Sequence, residues 1–304
     1  MSDYSYIGVG KIYLREIGSN AGAIEVGNCS ALSFAVSEET KELKDFTQGG
    51  GGTYNEVRRV SAVECSITMH DLDKDNLARA LYGTASSITS AAVSNESMVV
   101  YPSAMSAFAS MAQSTPTPTV VPSQASASAR ANTTAYALGA YVTPATPNGF
   151  YYKATAAGTS AGSIPTYPTT IGGTVTDGTV TWTCAGKTTL VAGADYEVRG
   201  AGVFAINTLA GETWTVGYTK AAADMVQALT NTGKEYEMIF DGLNEARSGK
   251  RTRIIGYRIK IGAAKNISLI GEDYAALEVT GKVLKDTGKS GAGISQYFKA
   301  EIES

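Results

Sequence analysis

Between Val63 and His70 the chain alternates. Val63, Cys65, Ile67 and Met69 fall on one side, and Glu64, Ser66, Thr68 and His70 on the other, the period of a half-buried β-strand. The same period returns at Trp214, Val216 and Tyr218 against Thr213, Thr215 and Thr219, and Phe298, Ala300 and Ile302 share a face near the C-terminus. The run "DYEVRGAGVFAIN" (Asp195–Asn207) predicts two strands around Gly200-Ala201-Gly202. In "TVTDGTVTW" the pair Asp177-Gly178 is a hairpin signal, because both positions tolerate positive φ. Helical signals are clear once, in "DLDKDNLARALYG". Asp71 or Asp73 serves as N-cap there, acidic residues fill the first turn, Leu77 and Leu81 lie four apart, and Gly83 terminates. "KAAADMVQALT" (Lys220–Thr230) is a second helix candidate, on composition alone. The expected fold class is mainly β: a sandwich or barrel with one reliable α-helix and an inserted small β domain.

The insertion is read from texture. From Pro122 to Gly186 only Arg130, Lys153 and Asp177 carry charge, whereas both flanks mix charge with apolar alternation. "STPTPTVVPSQASASARANTT" (Ser114–Thr134) has the composition of a solvated linker. The chain is therefore read as a discontinuous domain, residues 1–121 and 187–304, interrupted by a linker and small β module at residues 122–186. The 304 residues suffice for one large or two modest domains. Charged residues make up 17% and Tyr outnumbers Phe 17 to 7, a balance that favours strands and a polar, sticky surface over a helical enzyme. A net charge of −3 argues against a general polyanion binder. Cys29, Cys65 and Cys184 have no pair spacing, which points to reduced thiols in a cytoplasm. The start, "MSDYSYIGVGKIYL", has neither the basic region nor the apolar run of a signal peptide, and no later segment approaches a membrane span.

Candidate chemistry is sparse. Gly49, Gly50, Gly51 and Gly52 lead into Thr53, Tyr54 and Asn55 and then a strand, without the lysine or the helix N-terminus that a phosphate loop needs. "VRGAGVF" and "GKSGAGIS" fail in the same way. His70 is the sole histidine, so any Ser-His-Asp arrangement must use it; the plainer reading is a polar strand end entering a helix. One histidine and scattered cysteines do not supply a metal site, and no carboxylate pair is marked for glycoside hydrolysis. No catalytic, cofactor or metal residues are expected.

Charge and aromatic runs say more. "SEETKELKDF" sets Glu38, Glu39, Glu42 and Asp45 just before the glycine run, and "ARSGKRTRIIGYRIK" gathers Arg247, Lys250, Arg251, Arg253, Arg258 and Lys260. The basic run reads as a nucleic-acid patch, as a solvated loop and strand face, or as an edge that meets the acidic arm of another copy. In the insert, Tyr136, Tyr141, Phe150, Tyr151, Tyr152, Tyr167 and Trp182 stand on a nearly uncharged background. Most must form the module's own core. Tyr151, Tyr152 and Trp182 are the candidate glycan contacts, since neighbours on a strand point to opposite sides.

The segment Val26–Gly83 resembles the N-terminal half of the major tail tube proteins of long-tailed bacteriophages. It carries "VGNCS", "ELKD", a Gly-rich loop, a strand ending in "HDL" and a helix ending in "LYG". "FDGLN" (Phe240–Asn244), "SLIG" (Ser268–Gly271), "LEV" (Leu277–Val279) and the "LVAGADYEV" hairpin are similar to that family's second half. Residues 132–185 resemble a separate module of phage virion proteins, distantly similar to carbohydrate-binding modules. The module departs from the plain tube protein, and its role stays open among exterior decoration, weak sugar binding and passive carriage.

The resemblance implies a structural virion protein that associates as hexameric rings, stacked into a tail tube. The tube would surround a tape-measure protein, meet tail terminator and distal tail proteins, and let DNA leave through its lumen without sequence-specific binding. It implies a virion component assembled in the host cytoplasm, with no membrane partner and no cofactor. Under it, Glu38, Glu39, Glu42, Asp45, Gln48, Gly49–Gly52, Tyr54, Arg58 and Arg59 form an inter-ring arm that orders on assembly, and Arg247, Lys250, Arg251 and Arg253 form its basic counterpart. The competing classes are a sugar-binding adhesin or accessory virion protein, a hydrolase with an appended carbohydrate module, and the tube of a contractile tail or secretion system.

Overall fold

A computed structural model describes residues 5–47 and 49–304. The protein is mainly β, with 51% of residues in strands, 3% in helix and one α-helix among the described residues. It divides into two units, residues 1–86 with 224–304, and residues 87–223. The first unit begins with β1 (Gly8–Glu16), β2 (Ile24–Glu25), β3 (Cys29–Lys44), β4 (Thr53–Met69) and α1 (Lys74–Ala80), and the chain leaves it within β5 (Thr84–Ile88). The second unit holds β6 (Ala91–Val100), β7 (Ala104–Ala107), β8 (Thr119–Pro122), β9 (Ala135–Tyr136), β10 (Tyr141–Val142) and β11 (Phe150–Ala156). It continues with β12 (Gly158–Thr159), β13 (Thr174–Asp177), β14 (Val180–Lys187), β15 (Tyr196–Arg199), β16 (Gly202–Ala205) and β17 (Glu212–Lys220). The chain returns through β18 (Ala223–Gln227) to β19 (Glu235–Asn244), a 3-10 turn (Glu245–Arg247), β20 (Lys250–Ile261), β21 (Leu277–Val283) and β22 (Phe298–Ile302).

In the first unit an eight-stranded sheet runs β2-β1-β19-β20-β21-β4-β3, with β22 on β20. Its buried face is the alternation read from the sequence: Val63, Cys65, Ile67 and Met69, joined by Ile12, Leu14, Met238, Ile259, Leu277 and Val279. Helix α1 packs Leu77 and Ala80 against this face. Its N-cap is Asp73, whose carboxylate accepts from the Asp75 and Asn76 amides at 2.8 Å, while Asp71 accepts from the Asn28 amide at 2.9 Å. The helix ends with Tyr82, not Gly83, in the left-handed conformation (φ 50°), and the Gly83 amide donates to the Ala78 carbonyl, closing a Schellman-type end. Gly83 serves close approach instead, since a Cβ there would lie 2.5 Å from the Gln227 carbonyl oxygen.

One local expectation fails. Residues Lys220–Thr230 are not helical: they contain β18, which pairs with β5 in a two-stranded sheet. The Ala-rich composition favours a helix only weakly, and strand pairing overrides it. The strand read at Phe298–Ile302 forms as β22; Phe298 stacks on Phe34 at 4.7 Å, and Ala300 and Ile302 stay exposed.

The second unit has two cores. Met98, Val100, Phe108, Val120, Tyr196, Val203, Trp214, Val216 and Tyr218 form one. Val142, Tyr152, Ala154, Val180, Trp182 and Cys184 form the other, on the sheet β10-β11-β14-β13. The low-charge stretch 122–186 supplies the second core, and the compact unit that holds it, residues 87–223, extends farther out on both sides. The reason lies in the pairing. Strand β17 pairs with β6 from Glu212↔Val100 to Lys220↔Ala91 and with β8 at Trp214↔Pro122, so residues on either side of that stretch close on one core. The loop Gly200-Ala201 joins β15 to β16 as expected. The β13–β14 hairpin is shifted by one residue: Asp177 pairs with Val180, leaving Gly178-Thr179 as the loop, with only Gly178 at positive φ.

Candidate functional site

Strands β3 and β4 pair from Cys29↔Met69 to Lys44↔Thr53. Strand β21 covers the other edge of β4 only from Met69 to Glu64. Beyond that point the two strands continue as a ribbon, and every residue of Ala35–Lys44 and Thr53–Ser61 is exposed. An ordinary antiparallel sheet hides at least one face; this ribbon hides neither. Its apolar side chains stand in solvent, with Phe46 at 83% and Tyr54 at 71% exposure, and Val36, Leu43, Val57 and Val60 near half. A lone exposed apolar residue is ordinary, but such a group on one hairpin marks an interaction surface.

The tip is closed locally. The Asp45 amide donates to the Gly52 carbonyl at 2.7 Å. Its carboxylate accepts from the Thr47 hydroxyl (2.6 Å) and amide (2.8 Å), which hold its pKa below the usual range. Gly50 (φ 124°) and Gly51 (φ 61°) take conformations that side chains rarely adopt; Gln48 lies outside the described residues. The arm expected to be loose before assembly is therefore already a paired ribbon. Glu38, Glu39 and Glu42 sit in β3 and Tyr54, Arg58 and Arg59 in β4, with the glycine run serving as the turn. Alternating β-formers continue on both sides of the turn, and cross-strand pairing extends along them.

The ribbon is ionically under-satisfied. Glu39 faces Arg59, Lys41 faces Val57, Glu38 faces Val60 and Glu42 faces Glu56. Arg58 pairs with Glu56, and the Thr53 hydroxyl donates to Glu42 at 3.4 Å. Glu38, Glu39, Lys41 and Arg59 make no ion pair among the described residues.

The basic run is less free than its sequence suggests. Arg253 pairs with Glu301 of β22, the Arg251 amide donates to Glu303 at 2.8 Å, and Arg258 holds Glu235 at 2.7 and 2.9 Å. Arg247 is half-buried in the 3-10 turn, and the Lys250 and Arg251 side chains make no ion pair among the described residues. The candidate counter-surface is thus neutralised within its own sheet at Arg253, by Glu301, 48 residues downstream.

The candidate glycan contacts are core residues. Tyr151, Tyr152 and Trp182 are each 0% exposed. Neighbours Tyr151 and Tyr152 are both inside because the pairing of β11 with β14 shifts register between them, and a bulge suspends the alternation that would turn one outward. Tyr151 donates to the buried Glu212 at 3.3 Å and Tyr152 to the Pro168 carbonyl at 2.8 Å. The Trp182 indole donates to Asp177 at 3.0 Å. No face of these rings is open to a sugar. Trp182→Ala is accordingly expected to cost about 3–5 kcal/mol of stability, read by urea unfolding; an unchanged midpoint would contradict the burial.

Elsewhere the chemistry stays quiet. His70 is half-buried, and its amide donates to the Asn28 carbonyl. Among the described residues no group of three His, Cys, Asp or Glu could hold a metal. Burial pushes the Cys65 thiol up to about 12 and those of Cys29 and Cys184 up to about 11, and all three are free. No helix among the described residues is long and apolar enough to cross a membrane.

One family model matches the chain twice, over residues 5–160 and 153–301. The chain belongs to the family described as protein of unknown function UCP028589. The two matches together take in the hairpin, both cores of the second unit and the strands that complete the first. No curated protein matches the chain. Sequence reasoning missed two further exposed features of the first unit, the connection between β20 and β21 and a basic cleft beside the hairpin base. Neither carries a periodic or compositional signal; only burial reveals them.

Proposed function

We propose that the protein is a self-assembling structural subunit whose β3–β4 ribbon joins it to further copies of itself. In this reading the product is the tail tube of a long-tailed phage, built of stacked rings, hexameric as the motif resemblance implies. The tape-measure, terminator and distal tail proteins would be partners, and DNA would pass through the lumen. One observation carries the proposal: a long hairpin with both faces exposed, bearing Phe46, Tyr54 and half-exposed aliphatic residues beside unpaired charges. Such a ribbon gains burial only from a partner. Because its strands are already paired, little ordering entropy remains to oppose association, so contact geometry and charge set the specificity. The test is negative-stain electron microscopy of the purified protein over a concentration series. Hollow tubes or stacked rings of uniform width are expected; dispersed monomers at every concentration, with no association in sedimentation, would count against the proposal.

A further inference from the structure

The connection between β20 and β21, residues 262–276, is built unlike a solvent loop. Leu269, Ile270 and Tyr274 are 81%, 98% and 95% exposed. Between Ile270 and Tyr274 stand Glu272 and Asp273, both exposed and without an ion pair among the described residues. Large apolar side chains so fully in water are costly unless a partner covers them.

A matching surface lies in the same unit. Arg59 and Val60 at the hairpin base, with Lys285, Lys289, Ile294 and Tyr297, line a cleft. Lys285 lies over the Tyr297 ring at 6.0 Å and Lys289 over Tyr257 at 5.2 Å. Ile294 is half-exposed. Arg59, Lys285 and Lys289 have no carboxylate partner among the described residues. The nearby Asp286 accepts from the Gly288 amide at 3.0 Å. The cleft is thus cationic and aromatic, and the loop is anionic and apolar.

The two surfaces belong to opposite ends of β21. Leu277, where the loop ends, lies opposite Met69, and Lys282 lies opposite Glu64 near the cleft end. At about 3.3 Å per residue, β21 separates them by about 20 Å. Each surface is open in a single copy.

We propose that residues 269–274 of one copy seat in the Arg59/Lys285/Lys289/Tyr297 cleft of a second copy. Glu272 and Asp273 meet the lysines, and Ile270 and Tyr274 meet Ile294 and Tyr297. The contact is heterologous: each copy offers a loop at one end and a cleft at the other, so it propagates instead of closing in a pair. It rests on the self-assembly reading and specifies one of its interfaces.

A charge exchange tests it. Glu272→Lys with Asp273→Lys makes a loop variant, and Lys285→Glu with Lys289→Glu makes a cleft variant; near-UV circular dichroism checks that both fold. Sedimentation velocity of each variant alone is expected to show association weakened about tenfold or more relative to wild type. An equimolar mixture is expected to recover it, because every loop then finds a cleft of opposite charge. Variants that associate like wild type would overturn this contact and leave self-assembly standing, as would weak variants that the mixture fails to rescue. Absence of association in wild type and mixture alike would overturn both.

Discussion

Replacing Glu42–Glu56 by an Asn-Gly turn that joins Lys41 directly to Val57 is expected to abolish assembly and leave the subunit folded. Lys41 and Val57 are cross-strand partners, so a two-residue turn can close the ribbon there. Nothing in the deleted segment enters the core of the first unit, which draws on β4 only from Val63 inward and on β3 through Cys29, Leu32 and Phe34. The monomer should unfold within about 0.5 kcal/mol of wild type, the range for surface changes. Association should suffer heavily, because Leu43, Phe46 and Tyr54 leave together and exposed aromatic residues are the usual anchors of an interface. Phe46→Ala and Tyr54→Ala, made singly, should each weaken association by about 2 kcal/mol or more if they act as such anchors. Tubes of normal width from the shortened protein would refute the ribbon's role. A lost melting transition would show instead that the ribbon supports the fold.

That ribbon also shows where the sequence was legible and where it was not. Periodicity marked the buried side of β4 residue by residue, because one face of that segment meets a core and the other does not. The same periodicity could not say where the core stops. Val57 falls on the same side of the two-residue repeat as Val63 and Ile67, yet it is half-exposed, beyond the point where β21 pairing ends at Glu64. Non-local partners were invisible for a related reason: Glu301 and Glu303 occupy the basic strand β20 from far along the chain. The aromatic pair Tyr151-Tyr152 misled through a bulge, a backbone event with no residue signature at that position. Low charge located the small β module but not the unit boundary, since composition reports solvation while the boundary follows strand pairing. Turn and cap chemistry, being local, came nearer. Asp73 and Gly178 fill roles of the expected kind, and Tyr82 takes the left-handed position that a neighbouring glycine was expected to hold.

Breaking the buried Arg130–Asp177 pair is expected to be among the most destabilising changes in the second unit, comparable to the loss of Trp182. Both side chains are 0% exposed and joined at 2.7 and 2.9 Å. Arg130 also donates to the Ala161 and Ser163 carbonyls and to Asn132, while Asp177 accepts from the Ala161 amide and the Trp182 indole. Arg130→Met leaves an uncompensated carboxylate and Asp177→Leu an uncompensated guanidinium, each costing about 3–5 kcal/mol. The double variant should be no worse than the worse single one, because the orphaned charge disappears and only the unpaired backbone groups remain. Tryptophan fluorescence can follow this unit alone, since Trp182 and Trp214, the two tryptophans of the chain, both lie in it. The pH dependence has a definite sign. Burial alone would raise the Asp177 pKa, but hydrogen bonds from Arg130, Trp182 and Ala161 outweigh it and the net shift is downward. A carboxylate with a depressed folded pKa stabilises fully above its unfolded value of about 3.9 and loses that contribution as the pH falls through the folded value. The stability gap between wild type and Asp177→Asn should therefore be constant from neutral pH down to about 5 and narrow below about 4. Asp195, also depressed by Lys187 against its burial, is common to both proteins and cancels in the difference. A gap that stays flat into strong acid would mean that Asp177 is not held ionised by Arg130, and the pair would then be a contact of geometry without the charge that makes its loss expensive.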